Sequence, residues 1–278
     1  MSGRVLVLAY HNIVPDGTLP LGDRPNHLPL SRFVGQLAAL RETHDVIPLA
    51  ETLEPSSDRR RRPRAVITFD DAYRGAVIHG IPEVVRHGLP ATIFVAPGCL
   101  GGKSFWWDAL ARDAAGLDAS VRDRALGELR GEDAAIRAWA ARAGAPAADV
   151  ADVACAAADA EVIRAASLPG ITLGSHTWSH PNLTRLSPDE LASELTRPLE
   201  WLHQRVANPQ RWIAYPYGLH NATVERAAAA AGYEAALAIR GGWLPPVPTN
   251  RFALPRVNIP PGLTAHGFAL RAAGLLSG

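Results

Sequence analysis

Short apolar runs alternate with amphipathic segments along most of the chain. About eight such runs, rich in Val, Ile, Leu and aromatic residues and bounded by Gly, Pro, Asn or Asp, are typical of buried strands. Most are followed by apolar residues at helical spacing. Strands that alternate with helices in this way predict a parallel α/β fold, and their number favours a barrel-like closure over an open sheet. The predicted strands lie at about 4–9, 45–49, 65–69, 91–96, 171–175, 212–215, 235–239 and 252–257.

One stretch, from about residue 104 to 166, interrupts this rhythm. It is rich in Ala, Arg and Asp and has few large apolar residues. We therefore expect a helical insertion within one domain that spans residues 1–278, because the stretch is too small to form a core of its own. Trp106 and Trp107 at its start could anchor the insertion or form a stacking wall for a ligand ring. Anchoring is favoured for Trp107, whereas both interpretations stay open for Trp106.

Composition and charge exclude some partners. The 278 residues are 47% hydrophobic and carry a net charge of +1, so no global field favours nucleic acid or an anionic membrane. The basic run Arg59–Arg62 is interpreted as a solvated loop. Cys99 and Cys155 lack metal-ligand spacing and give no sign of a disulfide framework, which is typical of a reducing compartment. The first apolar run is too short to span a membrane and has no signal-peptide cleavage pattern, so we expect a cytoplasmic protein.

Polar and aromatic residues collect where the predicted strands end. In a parallel barrel the carboxyl ends of the strands share one face, which is where such folds build sites. The predicted strand at 65–69 ends in two adjacent carboxylates, which could also form a helix N-cap or an Asx turn. The residues at strand ends are His11, Asp70, Asp71, His176, Tyr215 and Arg256.

His176 and His180 are four residues apart, between Gly174 and Pro181. These flanking residues favour a tight turn over a helix, and both rings can still converge on one point. Two histidines and one carboxylate, with a position left for water, form a hydrolytic zinc set. Because an acidic pair and a histidine pair both follow β-rich runs, the sequence predicts a metal site.

The motifs resemble those of a known family. The segments 68–71 (TFDD), 176–180 (HTWSH) and 215–218 (YPYG) are similar to the first three motifs of the polysaccharide deacetylase family, also called the NodB homology domain or carbohydrate esterase family 4. The segments 8–11 and 254–257 resemble flanking elements of that family, so the resemblance covers nearly the whole chain. It implies a distorted (β/α)7 barrel, with the helical insertion outside the shared pattern.

The resemblance also implies roles. Asp71, His176 and His180 would hold one divalent ion, with Zn²⁺ as the default and Co²⁺, Ni²⁺ or Fe²⁺ compatible with the same ligands. Asp70 would be the general base for a water activated by that ion. His11 would be the acid that protonates the leaving amine. The backbone N–H of Tyr217 would stabilise the oxyanion, and substrate binding is assigned to Tyr215, Pro216, Tyr217, Trp178 and Trp106.

Two departures from the family pattern affect these roles. The arginine that many members carry in the third motif is absent, so we expect Arg256 to orient Asp70 instead. The late Leu-x-His element is also absent, because 263–266 has one residue too many. This moves the acid role to His11 and makes His266 a surface residue.

The expected function is a metal-dependent hydrolase that removes the N-acetyl group from an N-acetylated sugar or sugar conjugate, with no nucleic acid partner and no membrane span. The alternatives are a catalytically lapsed sugar-binding protein on the same scaffold, or a hydrolase of another N-acyl group such as formyl. The acyl group, the substrate and the oligomeric state are left open by the sequence.

Overall fold

The computed structural model describes residues 4–18, 22–54, 62–112, 116–239 and 242–275. Ten strands and nine α-helices lie in these ranges. The strands are β1 (Val5–Tyr10), β2 (Asn12–Val14), β3 (His27–Pro29), β4 (Asp45–Val46), β5 (Arg64–Phe69), β6 (Ala91–Val95), β7 (Ile171–Ser175), β8 (Trp212–Ala214), β9 (Ala235–Leu237) and β10 (Val257–Asn258). The helices are α1 (Leu30–Thr43), α2 (Ile81–Arg86), α3 (Trp106–Leu110), α4 (Ala119–Gly127), α5 (Asp133–Arg142), α6 (Asp159–Ala166), α7 (Pro188–Arg205), α8 (Ala222–Ala231) and α9 (Ala265–Ala272).

Eight of the described strands form one parallel sheet in the order β10-β1-β5-β6-β7-β8-β9, with β4 also paired to β5. The segment that leads into β10 closes the curl. Leu254 bridges Leu237 of β9, and Val257 pairs with Leu8 of β1. The predicted distorted (β/α) barrel is therefore confirmed as a curled parallel sheet surrounded by helices.

The apolar runs are nearly continuous because both faces of the sheet are buried. Along β1, successive side chains face opposite sides. Val5 and Val7 join Val66 of β5 in the cluster that fills the inside of the curl. Leu6 and Leu8 belong to the larger cluster that extends to helix α1 on the outside.

The register of the sheet brings the strand ends together. Tyr10, the last residue of β1, pairs with Phe69, the last residue of β5. The amide of Asp70 then donates to the carbonyl of Tyr10 at 2.9 Å. His11 and Asp70 therefore leave adjacent strands at the same level.

Some local details differ from the sequence-based expectations. The chain between β1 and α1, where no strand was predicted, contains a second parallel pair in which Asn12 lies opposite His27. Helix α1 begins without a side-chain cap, because its N-cap is Pro29, and the hydroxyl of Ser31 in its first turn donates to Asp16. The last predicted strand is reduced to two residues, because the chain before it bonds irregularly to β9.

The stretch from 104 to 166 carries four α-helices between β6 and β7. Ala125, Ile136 and Val162 from three of these helices pack into the main core cluster beside Trp106. A bridge from Ser104 to Cys155 joins the start of the stretch to its later part, and a bridge from Tyr73 to Ala156 connects that part to the loop after β5. The helices therefore share the core of the barrel.

The arginine run is described only at its end, since Arg59–Arg61 lie outside the described residues. The Arg62 guanidinium donates to the carbonyls of Arg41 and Glu42 in the last turn of α1. A cation in this position satisfies carbonyl groups that have no partner within the helix.

Candidate active site

The loops at the carboxyl ends of β5, β7 and β8 contain unusual backbone. Six described non-glycine residues have positive φ, and five of them lie in these loops. Such conformations cost about 1–3 kcal/mol each and are held in place only by their surroundings. They mark the mouth of the barrel as the place where local geometry is strained. The five are Asp71, Ala72, Thr177, His180 and Tyr217.

Asp71, His176 and His180 converge at this mouth, as the sequence predicted. The Asp71 Oδ1 atom lies 3.1 Å from His180 Nε2 and 3.4 Å from His176 Nε2. The two Nε2 atoms are 3.1 Å apart. All three side chains are buried. One oxygen and two nitrogens therefore face a common point and form a group with metal-ligand geometry.

The chemistry of the three donors fits a divalent cation. His176 Nδ1 lies 2.7 Å from the carbonyl oxygen of Ala214, which can only accept, so this nitrogen carries the hydrogen and Nε2 keeps its lone pair. The Asp71 Oδ1 atom is buried and has no hydrogen-bond partner of good geometry among the described residues. Burial would raise the pKa of Asp71, but His180 and His176 lower it well below its ordinary value. An ionised carboxylate and two imidazole nitrogens are ligands suited to Zn²⁺ and similar ions.

Asp70 forms a buried pair with Arg256. The guanidinium donates two parallel bonds, from Nη1 to Oδ1 at 2.7 Å and from Nη2 to Oδ2 at 2.8 Å. Arg256 is itself held by the Ala238 carbonyl and the Thr68 hydroxyl. Burial opposes ionisation of Asp70, but Arg256, with smaller effects from His176 and His11, holds its pKa below the ordinary value. The structure thus brings Arg256 to Asp70, as expected from the missing arginine of the third motif.

His11 lies between β1 and β2 and is half-buried. It directly follows Tyr10, whose carbonyl accepts from the Asp70 amide at 2.9 Å, so His11 and Asp70 leave adjacent strands side by side. His266, the other histidine considered for the acid role, is exposed in α9. Of the two histidines, His11 is the one that lies next to Asp70.

Tyr217 lies over the histidines, whereas Tyr215 does not. The Tyr217 ring is 4.6 Å from that of His180, and its hydroxyl donates to the His180 carbonyl at 3.2 Å. Pro216 begins the short turn that gives Tyr217 its positive φ of 58°. Tyr215 is fully buried, stacks on His220 and donates to the Phe252 carbonyl, so it stabilises the base of this turn.

The tryptophans occupy different positions. Trp106 is 1% exposed and its indole N–H donates to the Tyr217 hydroxyl, so its ring supports Tyr217 and has no free face for stacking. Trp107 is also buried and lies 4.9 Å from the His180 ring. The anchoring interpretation therefore applies to both. Trp178 is covered by the Arg197 guanidinium at 3.9 Å, with Gly98 against its edge.

A buried polar network behind Trp107 was not found from the sequence. Asp108 accepts bonds from the Tyr73 hydroxyl at 2.7 Å and from His27 Nε2 at 3.1 Å. The Tyr73 hydroxyl accepts from the Trp107 indole at 2.6 Å, and His27 Nδ1 accepts from the Asn12 amide at 3.0 Å. Burial raises the pKa of Asp108, opposed by the bonds from His27 and Tyr73. The sequence contains no signal for this network, because 81 residues separate Asp108 from His27.

The protein is thus a curled parallel α/β barrel with an Asp-His-His cluster at the carboxyl ends of its strands. Residues 57–236 match the model of the polysaccharide deacetylase family. Because this match covers more than half of the chain, the protein belongs to that family. Membership places it among hydrolases.

Known proteins are similar to this chain over most of its length. YxkH of Bacillus subtilis strain 168, which is named for the polysaccharide deacetylase family, is 21% identical over 265 residues, covering 94% of this chain and 74% of YxkH. The Streptococcus pyogenes deacetylase PplD, solved in complex with acetate, superposes with a TM-score of 0.66 at 18% identity, covering 96% of this chain and 97% of PplD. A de-N-acetylase from Aggregatibacter actinomycetemcomitans superposes with a TM-score of 0.68 at 14% identity, covering 96% of this chain and 99% of that one. These likenesses establish the shared fold.

No helix within the described ranges combines the length and the apolar character that crossing a membrane requires.

Proposed function

We propose that the protein is a metal-dependent N-deacetylase that releases acetate from an N-acetylated sugar or sugar conjugate. The observation that carries the proposal is the position of the Asp71–His176–His180 cluster directly beside the buried Asp70–Arg256 pair. A lone metal cluster or a lone ion pair could be structural. Together they offer ligands for a cation and, next to them, an ionised carboxylate that is free of the cluster and able to take a proton.

Asp71, His176 and His180 would hold the cation. Zn²⁺ is the default for these ligands, and Co²⁺, Ni²⁺ or Fe²⁺ suit them as well. When bound, the cation supplies polarisation of the acyl carbonyl and a lowered pKa for a water molecule.

The remaining steps are assigned to residues of the chain. Asp70 takes a proton from the attacking water, and Arg256 keeps Asp70 ionised and fixed in orientation. His11 donates a proton to the leaving amine on the same side of the mouth. The backbone N–H of Tyr217, in the turn over His180, stabilises the developing oxyanion. Removing one such donor from an oxyanion site typically lowers kcat by about 10²–10³-fold.

The proposal includes a carbohydrate substrate and a cytoplasmic location. The family and the deacetylases that share the fold support the first. Both cysteines are free thiols, which fits a reducing compartment. A cytoplasmic enzyme would act on a small sugar conjugate in carbohydrate metabolism.

The test is acetate release from N-acetylglucosamine derivatives by the purified protein, with and without a chelator. We expect release that needs divalent metal and is lost in Asp70→Asn, because the amide cannot take a proton. Asp149→Asn, at an exposed position, is the matched control and should behave like the wild type. No bound metal, together with equal behaviour of both variants, would contradict the proposal. Release of formate from N-formylglucosamine, with no acetate released from the N-acetyl derivatives, would change the acyl group to formyl. Tight sugar binding without turnover would favour the lapsed sugar-binding alternative.

A further inference from the structure

A cavity of about 690 Å³ opens beside the imidazole of His180. One wall comes from the loop after β6 and from α3, including Phe105 and Trp107, and the other comes from Gly131 and the first turns of α5. This volume lies within the range of small-molecule sites, about 300–1,000 Å³. The insertion thus forms much of the wall of the cavity next to the metal cluster.

The charged groups of this cavity are nearly all paired. Arg137 donates to Asp133 at 2.8 Å, and Glu132 is paired with Arg130. His180 belongs to the metal cluster. Lys103 is different, because its side chain makes no hydrogen bond or ion pair with the described residues although it lines the same cavity. Its ammonium group is the cation that a ligand in this cavity can reach without breaking an existing pair.

Two features make Lys103 more than a solvated surface charge. It is the one lysine among the 28 Lys and Arg residues of the chain. This position therefore has a compact ammonium group, whereas every other basic position has the planar guanidinium group of arginine. Its backbone is also fixed. The Lys103 carbonyl accepts from the Ala156 amide at 2.9 Å, and the amide of Gly102 donates to the Ala156 carbonyl at 3.1 Å. The insertion therefore holds Lys103 at the cavity.

We propose that the substrate carries an anionic group, a phosphate or a carboxylate, and that Lys103 pairs with it while the acetamido group lies at the metal cluster. This inference rests on the proposed function, since it names the class of substrate for the same site. The other charges do not oppose such a ligand, because both acidic residues of the cavity wall are neutralised by arginines. Lys103 acts in recognition and not in the chemical step.

The first experiment compares three substrates with the full-length, metal-loaded protein. These are methyl N-acetylglucosaminide, which is neutral, N-acetylglucosamine 1-phosphate and N-acetylmuramic acid. We expect Lys103→Gln to lower kcat/KM about fivefold for an anionic substrate, through KM and in a salt-dependent manner, and to leave the neutral one unchanged. Lys103→Arg should keep most of the wild-type kcat/KM for the anionic substrate. Arg142→Gln, an exposed charge on α5 outside the cavity, is the control for net charge.

The second experiment does not depend on turnover. Because the chain has one lysine, reductive methylation with ¹³C-formaldehyde labels one side chain, and its NMR signal is resolved from that of the terminal amine. We expect this signal to shift in a saturable way with the phosphate or the carboxylate sugar and not with the neutral glycoside.

The outcomes separate this inference from the proposed function. If Lys103→Gln lowers kcat/KM for one of the two anionic sugars and not for the other, the anionic group of the first sugar is the one recognised. An equal effect of Lys103→Gln on the neutral and anionic sugars, or a signal that no anionic sugar shifts, overturns the inference. If no sugar releases acetate, the proposed function fails, and the NMR titration alone decides whether Lys103 binds the anion.

Discussion

At the scale of single residues, the two adjacent aspartates differ because their neighbours differ. Asp71 faces two imidazole nitrogens, whereas both oxygens of Asp70 are engaged by one guanidinium. Their order in the sequence does not assign these roles. The two roles follow from the turn at Asp71, where a positive φ of 69° directs the second carboxylate away from the first.

The Asp70–Arg256 pair should be important for both stability and activity. In Arg256→Leu, the Asp70 carboxylate would be left buried without its partner, which typically costs about 3–5 kcal/mol. Urea unfolding measures this loss, and Arg142→Leu at an exposed position controls for the change in charge. Arg256→Lys should be only a partial rescue, because an ammonium group cannot make the two parallel bonds. Equal stability of Arg256→Leu and the wild type would contradict this expectation.

His11 should affect turnover without affecting metal binding. In the proposed mechanism His11→Gln removes the acid for the leaving amine, so we expect kcat to fall about 10²–10⁴-fold while the bound metal per protein is unchanged. Metal analysis and steady-state kinetics on the same preparation measure both. The exposed His266→Gln variant is the matched control. Parallel losses of metal and activity would instead make His11 a ligand or a structural residue.

At the scale of elements, the strands were predictable and the pieces between them were not. Runs such as 65–69 and 91–96 have a pattern that specifies a strand locally, and β5 and β6 lie within a residue of those limits. The β2–β3 pair has only three residues a side, and the buried side chains of Asn12 and His27 bond to each other across it. Such pairing depends on distant contacts that periodicity does not contain.

Helix α6 illustrates how the insertion is attached. Glu161 accepts from the Ala158 amide at the start of this helix at 3.0 Å and from the Arg74 guanidinium at 2.9 Å. Arg74 follows the Asp70–Asp71 loop, so this pair connects the insertion to the site. Burial works against ionisation, but the Ala158 amide and Arg74 hold the pKa of Glu161 below its ordinary value.

This pKa shift determines how the pair should respond to pH. Because the folded pKa is lowered, the stabilisation is fully present above the unfolded pKa and is lost as the pH falls through the folded pKa. We expect Glu161→Gln to reduce the free energy of unfolding by about 1 kcal/mol at pH 7 and by progressively less in the acid range below pH about 4.5. Denaturant unfolding across this range measures it, with the exposed Glu200→Gln as control. A deficit that stays constant down to pH 3 would rule out the charge as its cause.

At the scale of the whole molecule, the site could be predicted in part because its residues occupy equivalent places in the fold. Asp70 and Arg256 are 186 residues apart, yet both lie at strand ends, and a parallel barrel brings strand ends to one face. The exposure of the side chains around the site could not be predicted in this way. Trp178 follows a strand as His176 does, but Arg197 from α7 covers it, and only the packing of that helix determines this contact.

The metal cluster also joins parts of the chain that are distant in sequence, so a bound cation should stabilise the whole fold. At a free metal concentration a thousand times Kd, the gain is about 4 kcal/mol, which for a chain of this size corresponds to roughly 10 °C in Tm. We expect a chelator to lower Tm by about this amount and added Zn²⁺ to restore it. Asp71→Asn, which removes one ligand, should show a much smaller dependence on metal, and Asp149→Asn should respond like the wild type. If the three proteins respond to metal equally, the stabilising ion binds elsewhere, and the cluster at the barrel mouth is not its site.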